Sequence, residues 1–286
     1  MNTKKFFETI EEVKELSSLL NPEPDKWNFL TSVEYMLSSQ LYLDSIFRDL
    51  NLIESNKIVI NDKQRVLDFG TGCGYLTVLL SKTYKEVYGL ETFEVKSIIE
   101  HDSETCSSGF EESKKFKRNL WQYFEKKYAS SRFLFYGGKK LPFKDISFDI
   151  IVAYAVIEHI RYELLTNILI ELNRVLKEGG TLLIFKLPQK YSINELICRV
   201  FNIEAHTKTF SKKEIEELII KYGFKIEKIY YSDFVFEFPP KITNFLYPFL
   251  KTADNILKKT PFKYFGHNLN IIAIKEKSYD DLQCDV

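Results

Sequence analysis

The chain has 286 residues, of which 45% are hydrophobic, enough for one large domain with a substantial core. Forty basic residues balance forty acidic ones, which gives no case for nucleic-acid binding. The four cysteines form no CxxC pair, so neither a structural zinc site nor a disulfide framework is indicated, and a reduced, cytoplasmic protein is expected. No other cluster with metal-ligand spacing is evident, so no metal is predicted.

Residues 1–60 are predicted to form a helical leader. A helix is expected from about Lys4 to Leu20, where Asn21–Pro24 would end it. Thr31–Glu34 has the pattern of a capping box, which predicts a further helix behind it. These helices could close over a ligand, but packing against the outside of a sheet is favoured.

Residues 66–77 have the pattern of a buried strand, a glycine turn and the start of a helix. Gly70, Gly72 and Gly74 alternate with other residues in the turn. Glycine allows positive φ and close approach of a ligand, and the helix start offers unpaired N–H groups. The stretch suits the polar end of a nucleotide-like ligand, although an ordinary strand-to-helix turn fits equally well.

The next strand, residues 86–91, ends in Glu91. A carboxylate some twenty positions after the glycines can accept two hydrogen bonds from a ribose diol. The alternative is a surface acid at a strand end, and the glycine turn upstream favours the ribose interpretation.

Further strands and helices alternate along the rest of the chain, which predicts an α/β fold with a mainly parallel sheet. Residues 97–130 are the least regular, although a helix with Leu120 and Phe124 on one face is expected there. Lys177–Gly180 is expected to close the amphipathic helix that precedes it, and Ser211–Glu214 is another capping box. The remaining predicted strands are 132–136, 148–154, 181–185, 225–231 and 268–275.

Residues 238–265 combine many aromatic residues with lysines. Such a segment could rest on a membrane surface and meet a lipid-linked substrate. The simpler interpretation is that the aromatic side chains belong to the core and the lysines form its solvated rim.

Taken in order, five segments resemble the motifs of class I S-adenosylmethionine-dependent methyltransferases. The resemblance covers roughly residues 60–230 and includes the glycine turn and Glu91. It also includes an LPF…SFD block, an EH pair after the fourth strand, and a helix-to-strand block. These last three segments are Leu141–Asp149, Ile157–Ile160 and Leu172–Gly180.

The resemblance implies a Rossmann-like, doubly wound sheet of seven strands, mainly parallel with an antiparallel last strand. The methyltransferase domain would span 61–276, with an insertion at about 97–130 and a flexible tail at 277–286. S-adenosylmethionine would be the methyl donor. Where the family often has an acid that reads adenine, this chain has Gly137. The residues implied in cofactor binding are Asp68, Gly70, Gly72, Gly74, Glu91, Leu141, Ala153 and Tyr154.

The implied reaction is O-methylation of a small molecule, a sugar or a lipid-linked glycan. His159 and His206 are the candidate general bases, with Glu158 as a partner of either histidine. A non-catalytic S-adenosylmethionine-binding protein is the main alternative. An NAD-binding oxidoreductase is disfavoured because Tyr75 stands where the GxGxxG fingerprint requires glycine.

Overall fold

The computed structural model describes residues 2–20, 34, 36–55, 63–92, 107–200, 206, 208–237 and 239–278. Its strands are β1 (Arg65–Phe69), β2 (Glu86–Thr92), β3 (Ser131–Tyr136), β4 (Phe148–Tyr154), β5 (Leu176–Pro188), β6 (Phe224–Ser232) and β7 (Asn268–Lys275).

These strands form one sheet of order β3-β2-β1-β4-β5-β7-β6. The pairings among β1 to β5 are parallel, whereas β7 runs antiparallel to both β5 and β6. The predicted Rossmann-like sheet with an antiparallel last strand is therefore confirmed. The carboxyl ends of the parallel strands meet at one edge, where open α/β sheets bind ligands.

Helices cover both faces of the sheet. They are α1 (Thr3–Leu20), α2 (Gln40–Ser55), α3 (Tyr75–Leu80), α4 (Ser107–Lys127), α5 (Tyr162–Val175), α6 (Ile193–Val200), α7 (Lys212–Lys221), α8 (Pro240–Phe245) and α9 (Tyr247–Leu257). Short 3-10 helices occupy Ile157–His159 and Pro261–Phe265. Among the described residues, no helix combines the length and apolar character needed to cross a bilayer.

Strand β4 shows why its sequence is almost continuously apolar. Ile150 and Val152 belong to the core under α1 to α4, whereas Ile151 and Ala153 belong to the core under α5 and α7. Because successive side chains of a strand point to opposite faces, a strand covered on both sides needs apolar residues at every position.

The leader helices pack on the rest of the domain. Helix α1 buries Phe6, Ile10 and Val13 and contacts α3 and α4. Helix α2 contacts α8 and α9, which come from the far end of the chain. The capping box predicted at Thr31 begins outside the described residues.

Three local predictions have clear outcomes. Helix α4 is present and buries Leu120 and Phe124, as expected, while residues 97–106 lie outside the described part of the chain. Ser211 and Glu214 form the predicted capping box of α7. The closing segment predicted for α5 is wrong: the helix ends at Val175, because Leu176 already has extended backbone and starts β5, which contains Gly179 and Gly180.

Candidate active site

The glycine turn, residues 70–74, joins β1 to α3 at the carboxyl edge of the sheet. The N–H groups of Gly70 and Thr71 donate to the Leu90 carbonyl at 2.8 and 3.0 Å, which fixes the turn beside the end of β2. All three glycines have positive φ, at 78°, 55° and 90°. L-residues with a Cβ rarely adopt this conformation, so the turn explains the alternating glycines.

The three glycines nevertheless have different surroundings. A Cβ on Gly70 would lie 2.4 Å from Val156, and one on Gly74 would lie 2.7 Å from Phe133. A Cβ on Gly72 would meet no atom within 4 Å. The first and third glycines are therefore required by packing, whereas the middle one leaves space at the turn for a ligand to approach.

Asp68 holds the turn together from within. Its Oδ2 accepts hydrogen bonds from the hydroxyls of Thr71 and Thr77, at 2.9 and 2.6 Å. The carboxyl is buried, and burial raises its pKa to about 6 despite these two donors. Its expected contact with the methionine end of the cofactor stays a prediction.

Glu91 lies directly beside the glycine turn. Its Oε2 accepts the N–H of Gly72 at 2.7 Å and lies 3.6 Å from Lys117 Nζ on α4. The structure thus brings together two residues that the motifs implied in cofactor binding. Lys117 was missed, because a single lysine in a charged amphipathic helix carries no sequence signal for this position.

The LPF block and the helix-to-strand block contact each other. Leu141 N–H donates to the Glu171 carboxylate at 2.7 Å, and Arg174 donates to the carbonyls of Leu141 and Phe143 at 3.2 and 2.9 Å. Arg174 also pairs with Glu171. These bonds hold the backbone segment that follows β3, and the side chain of Leu141 is buried. Gly137 belongs to the same segment, and adenine is expected there.

The two residues predicted at the end of β4 point in different directions. Ala153 is fully buried in the core on the α5 side. The hydroxyl of Tyr154 lies 3.4 Å from Asp49 Oδ2 on α2, so this side chain faces the leader. Ala155, which follows, has φ 52°. Strained backbone of this kind often accompanies functional sites.

Asp49 belongs to a group of ions that we call the charge network: Arg48, Asp49, Lys186, Asp233 and Glu237. Asp49, Lys186 and Asp233 are buried, whereas Arg48 and Glu237 are partly exposed. Arg48 lies 2.9 Å from both Asp49 and Asp233, and Lys186 lies 3.1 Å from Asp233 and also pairs with Glu237. Lys186 and Asp233 are not glycines but have φ near +60°. The network joins α2 to the carboxyl ends of β5 and β6.

The charge network holds two cations and three carboxylates, so one negative charge is in excess when all are ionised. Burial raises the pKa of Asp49 and of Glu237. Burial alone would also raise the pKa of Asp233, but Arg48 and Lys186 hold it well below its ordinary value. Lys186 gave a sequence signal, because it is a cation within the apolar run 182–187; the other four members gave none.

The two candidate bases each lie beside a buried glutamate. His159 Nε2 is 3.7 Å from Glu158 Oε1, and His206 Nδ1 is 2.6 Å from Glu195 Oε1. Burial raises the pKa of Glu158 to about 7. Glu158 and His159 lie in the 3-10 helix that begins three residues after the end of β4, whereas His206 lies in the connection between α6 and α7.

Comparison with known proteins identifies the family. The sequence model of a family described as "Methyltransferase domain" matches residues 39–229, well over half of the chain. The chain belongs to this family. The matched region is a class I methyltransferase domain, and its methyl donor is S-adenosylmethionine.

The similar proteins support the fold but do not indicate the methyl acceptor. The chain is 31% identical over 137 residues to the uncharacterized protein MJ0638 of Methanocaldococcus jannaschii, covering 48% of this chain and 58% of that protein. Among solved structures, the PH0226 protein of Pyrococcus horikoshii has a TM-score of 0.53 at 16% identity, covering 84% of this chain and 94% of that one. The YcgJ protein of Bacillus subtilis has 0.50 at 18%, with 81% and 99% covered.

Proposed function

We propose that this protein transfers the methyl group of S-adenosylmethionine to the oxygen of an amphiphilic acceptor, such as a lipid-linked glycan, at a membrane surface. The observation that carries the cofactor half of this proposal is the open side of Gly72, beside the carboxylate of Glu91. The acceptor half rests on the exposed surface of α8 and α9. A small soluble acceptor is the alternative for the same site.

In this arrangement the cofactor lies along the carboxyl edge of the sheet. Gly72 admits its amino-acid end, with Asp68 behind the turn, and Glu91 accepts the ribose hydroxyls. Glu91 would exchange its present bond to the Gly72 N–H for those hydroxyls. Adenine would lie over the backbone between Gly137 and Leu141, which Arg174 holds in place.

Calorimetric titration tests the cofactor placement. Wild type should bind S-adenosylmethionine and S-adenosylhomocysteine, but not NAD. Gly72→Ala should weaken binding at least about tenfold, or about 1.4 kcal/mol, because the new methyl group occupies the space for the ligand. Gly179→Ala is the matched control: Gly179 has φ +70° and open surroundings but lies in β5. Equal affinity in both variants would contradict the placement.

The chemistry requires alignment more than reactive groups. Methyl transfer is an in-line displacement at a sulfonium, so the domain mainly positions the two partners. A hydroxyl acceptor also needs a proton acceptor. We assign this role to the Glu158–His159 pair, which lies in the 3-10 helix after β4, the strand that ends beside the glycine turn.

The acceptor class follows from an exposed apolar face formed by α8, α9 and the 3-10 helix behind them, which contact one another. Helix α9 has no buried residue, and Phe245 and Phe249 are 84% and 72% exposed. A group of neighbouring exposed apolar side chains often marks a contact site, whereas single ones do not. The face also includes Ile242, Leu246, Ile256, Phe262, Tyr264 and Phe265.

The charge around this face favours a lipid bilayer over a protein. Residues 239–266 contain five lysines, all exposed, and a single acid, Asp254. Lysines around exposed aromatic side chains suit anionic headgroups. Tyr247 and Lys251 of α9 both bond to Asp44 of α2, so the face lies on the side of the charge network.

Vesicle co-sedimentation and a methyl-transfer assay test the acceptor. The protein should sediment with phosphatidylglycerol vesicles and much less with phosphatidylcholine vesicles. Phe245→Ser combined with Phe249→Ser should reduce sedimentation at least about tenfold. Ile220→Ser, which removes an exposed side chain on α7, should not. Methylation of lipid-extract components from labelled S-adenosylmethionine should follow the same order.

Two results would favour other interpretations. Sedimentation that is unchanged in the Phe245/Phe249 variant, with methylation of water-soluble fractions only, would favour a small soluble acceptor. Cofactor binding without any labelled product would favour the non-catalytic alternative. A cytoplasmic setting also remains our proposal, supported by the free thiols of Cys73 and Cys198.

A further inference from the structure

The structure brings together three residues that no sequence motif connects: Glu195 on α6, His206 between α6 and α7, and His267 just before β7. Glu195 Oε1 lies 2.6 Å from His206 Nδ1 and 3.8 Å from His267 Nδ1. One ligand atom from each residue lies within 4.8 Å of the others. We call this group the histidine–glutamate cluster.

We propose that the histidine–glutamate cluster binds a divalent transition-metal ion of the zinc class. Two imidazole nitrogens and one carboxylate oxygen form a donor set that such ions use in proteins. Metal–ligand bonds of about 2.1 Å place neighbouring ligand atoms roughly 3.3 Å apart in a tetrahedral site. Glu195 Oε1 and His206 Nδ1, now 2.6 Å apart, would therefore separate by about 0.7 Å around an ion, and the other pairs, which lie within 4.8 Å, would approach by at most about 1.5 Å.

Burial of the glutamate supports this site. Glu195 is 2% exposed, and among the described residues its Oε2 has no hydrogen-bond partner. A buried carboxylate oxygen without a partner is costly. The contact with His206 accounts for Oε1 alone, so a simple ion pair leaves Oε2 unexplained, whereas an ion between the three side chains would satisfy the carboxylate.

The orientation of His267 also favours metal binding. His267 Nδ1 lies 3.2 Å from the Ser192 hydroxyl, which orients the ring toward Glu195. The ring therefore stands beside the Glu195 carboxylate, within reach of an ion shared with Glu195 and His206.

The histidine–glutamate cluster lies next to the charge network. The N–H of His267 donates to the Asp233 carbonyl at 3.0 Å, so the cluster adjoins the charge network. Three protein ligands leave a coordination position for water or for an oxygen of a substrate. That this oxygen belongs to the methyl acceptor rests on the proposed function; metal binding itself does not.

Metal titration of the chelator-stripped full-length chain tests the proposal. Zn²⁺, added in competition with a chromophoric chelator, should bind with one-to-one stoichiometry, and Co²⁺ should give visible d–d absorption. Glu195→Gln and His206→Gln should each weaken binding by more than the about 10–100-fold that the loss of an outer-shell partner costs. His159→Gln is the control, since His159 pairs with Glu158 outside the cluster.

The outcomes separate metal binding from folding and from the methyltransferase reaction. Binding of S-adenosylmethionine by Glu195→Gln and His206→Gln would show that both variants are folded. His206→Gln is the milder of the two substitutions, because the His206 side chain is 38% exposed. Absence of a one-to-one Zn²⁺ complex in wild type would overturn the site. So would Zn²⁺ affinity in Glu195→Gln and His206→Gln equal to that of His159→Gln.

Discussion

The glycine turn and the charge network lie at the same edge of the sheet, on either side of the end of β4, and are built differently. The turn uses backbone N–H groups and glycines within five consecutive residues, supported by Asp68 and Glu91 at two strand ends. The charge network uses side chains from α2, β5 and the segment after β6.

This difference gives the two regions different tolerance of substitution. A backbone turn presents the same groups whatever its side chains are, which suits a cofactor that never changes. A network of side chains can be altered one residue at a time, because its members come from separate elements. Its desolvated ions depend on one another, however, so the stability of the charge network should be the more sensitive to single substitutions.

The largest expected effect is at Lys186, which is 5% exposed. Lys186→Met should lower the free energy of unfolding by about 3–5 kcal/mol, because it leaves the buried Asp233 and the neighbouring Glu237 with too few cations. Lys177→Met makes the same change on the same strand, where the pair with Asp149 is partly exposed, and should cost about 1 kcal/mol or less. Urea unfolding measures the free energy of unfolding of both variants. Equal losses of stability would show that the charge network is no more sensitive than the exposed pair.

The next effect concerns Asp68 and depends on pH. Its pKa is about 6 in the folded protein against about 3.9 unfolded, so the folded state keeps its proton longer. Wild-type stability from this group is full below pH 4 and falls by about 3 kcal/mol as pH rises through 6. Asp68→Asn has no carboxyl group to titrate at this position, so its stability should not show this decrease.

Unfolding of both proteins from pH 4 to 7 tests this effect, since Asn can still accept from Thr71 and Thr77. The stability of Asp68→Asn relative to wild type should increase across that range. A difference that stays constant with pH would mean that the carboxyl is already ionised at pH 4.

The smallest effect links the leader to the turn. The hydroxyls of Tyr42 on α2 and Tyr75 at the start of α3 lie 3.0 Å apart. Tyr42→Phe should cost about 0.5–1.5 kcal/mol of stability, and the double variant with Tyr75→Phe should show a coupling of similar size. Tyr162→Phe, at a side chain 65% exposed, should have almost no effect. Strict additivity of the two single variants would disprove the link.

Much of the cofactor side could be predicted from sequence, because its physical requirements are local. Positive φ at alternating positions requires glycine, a strand buried on both faces requires an apolar run, and a capping box requires Ser211 three residues before Glu214. Each requirement acts within a few neighbouring residues. The sequence therefore determined the seven strands, their approximate bounds, the turn and the adjacent Glu91.

Only the tertiary structure decided which residues meet across long sequence separations. Arg48 and Asp233, or Glu195 and His267, share no sequence pattern, since side-chain pairing depends on where separate elements cross. The different roles of Gly70 and Gly72 were equally hidden, because they depend on Val156 at the end of another strand. Local backbone needs are visible in the sequence, whereas contacts between distant side chains arise only when the sheet brings their elements together.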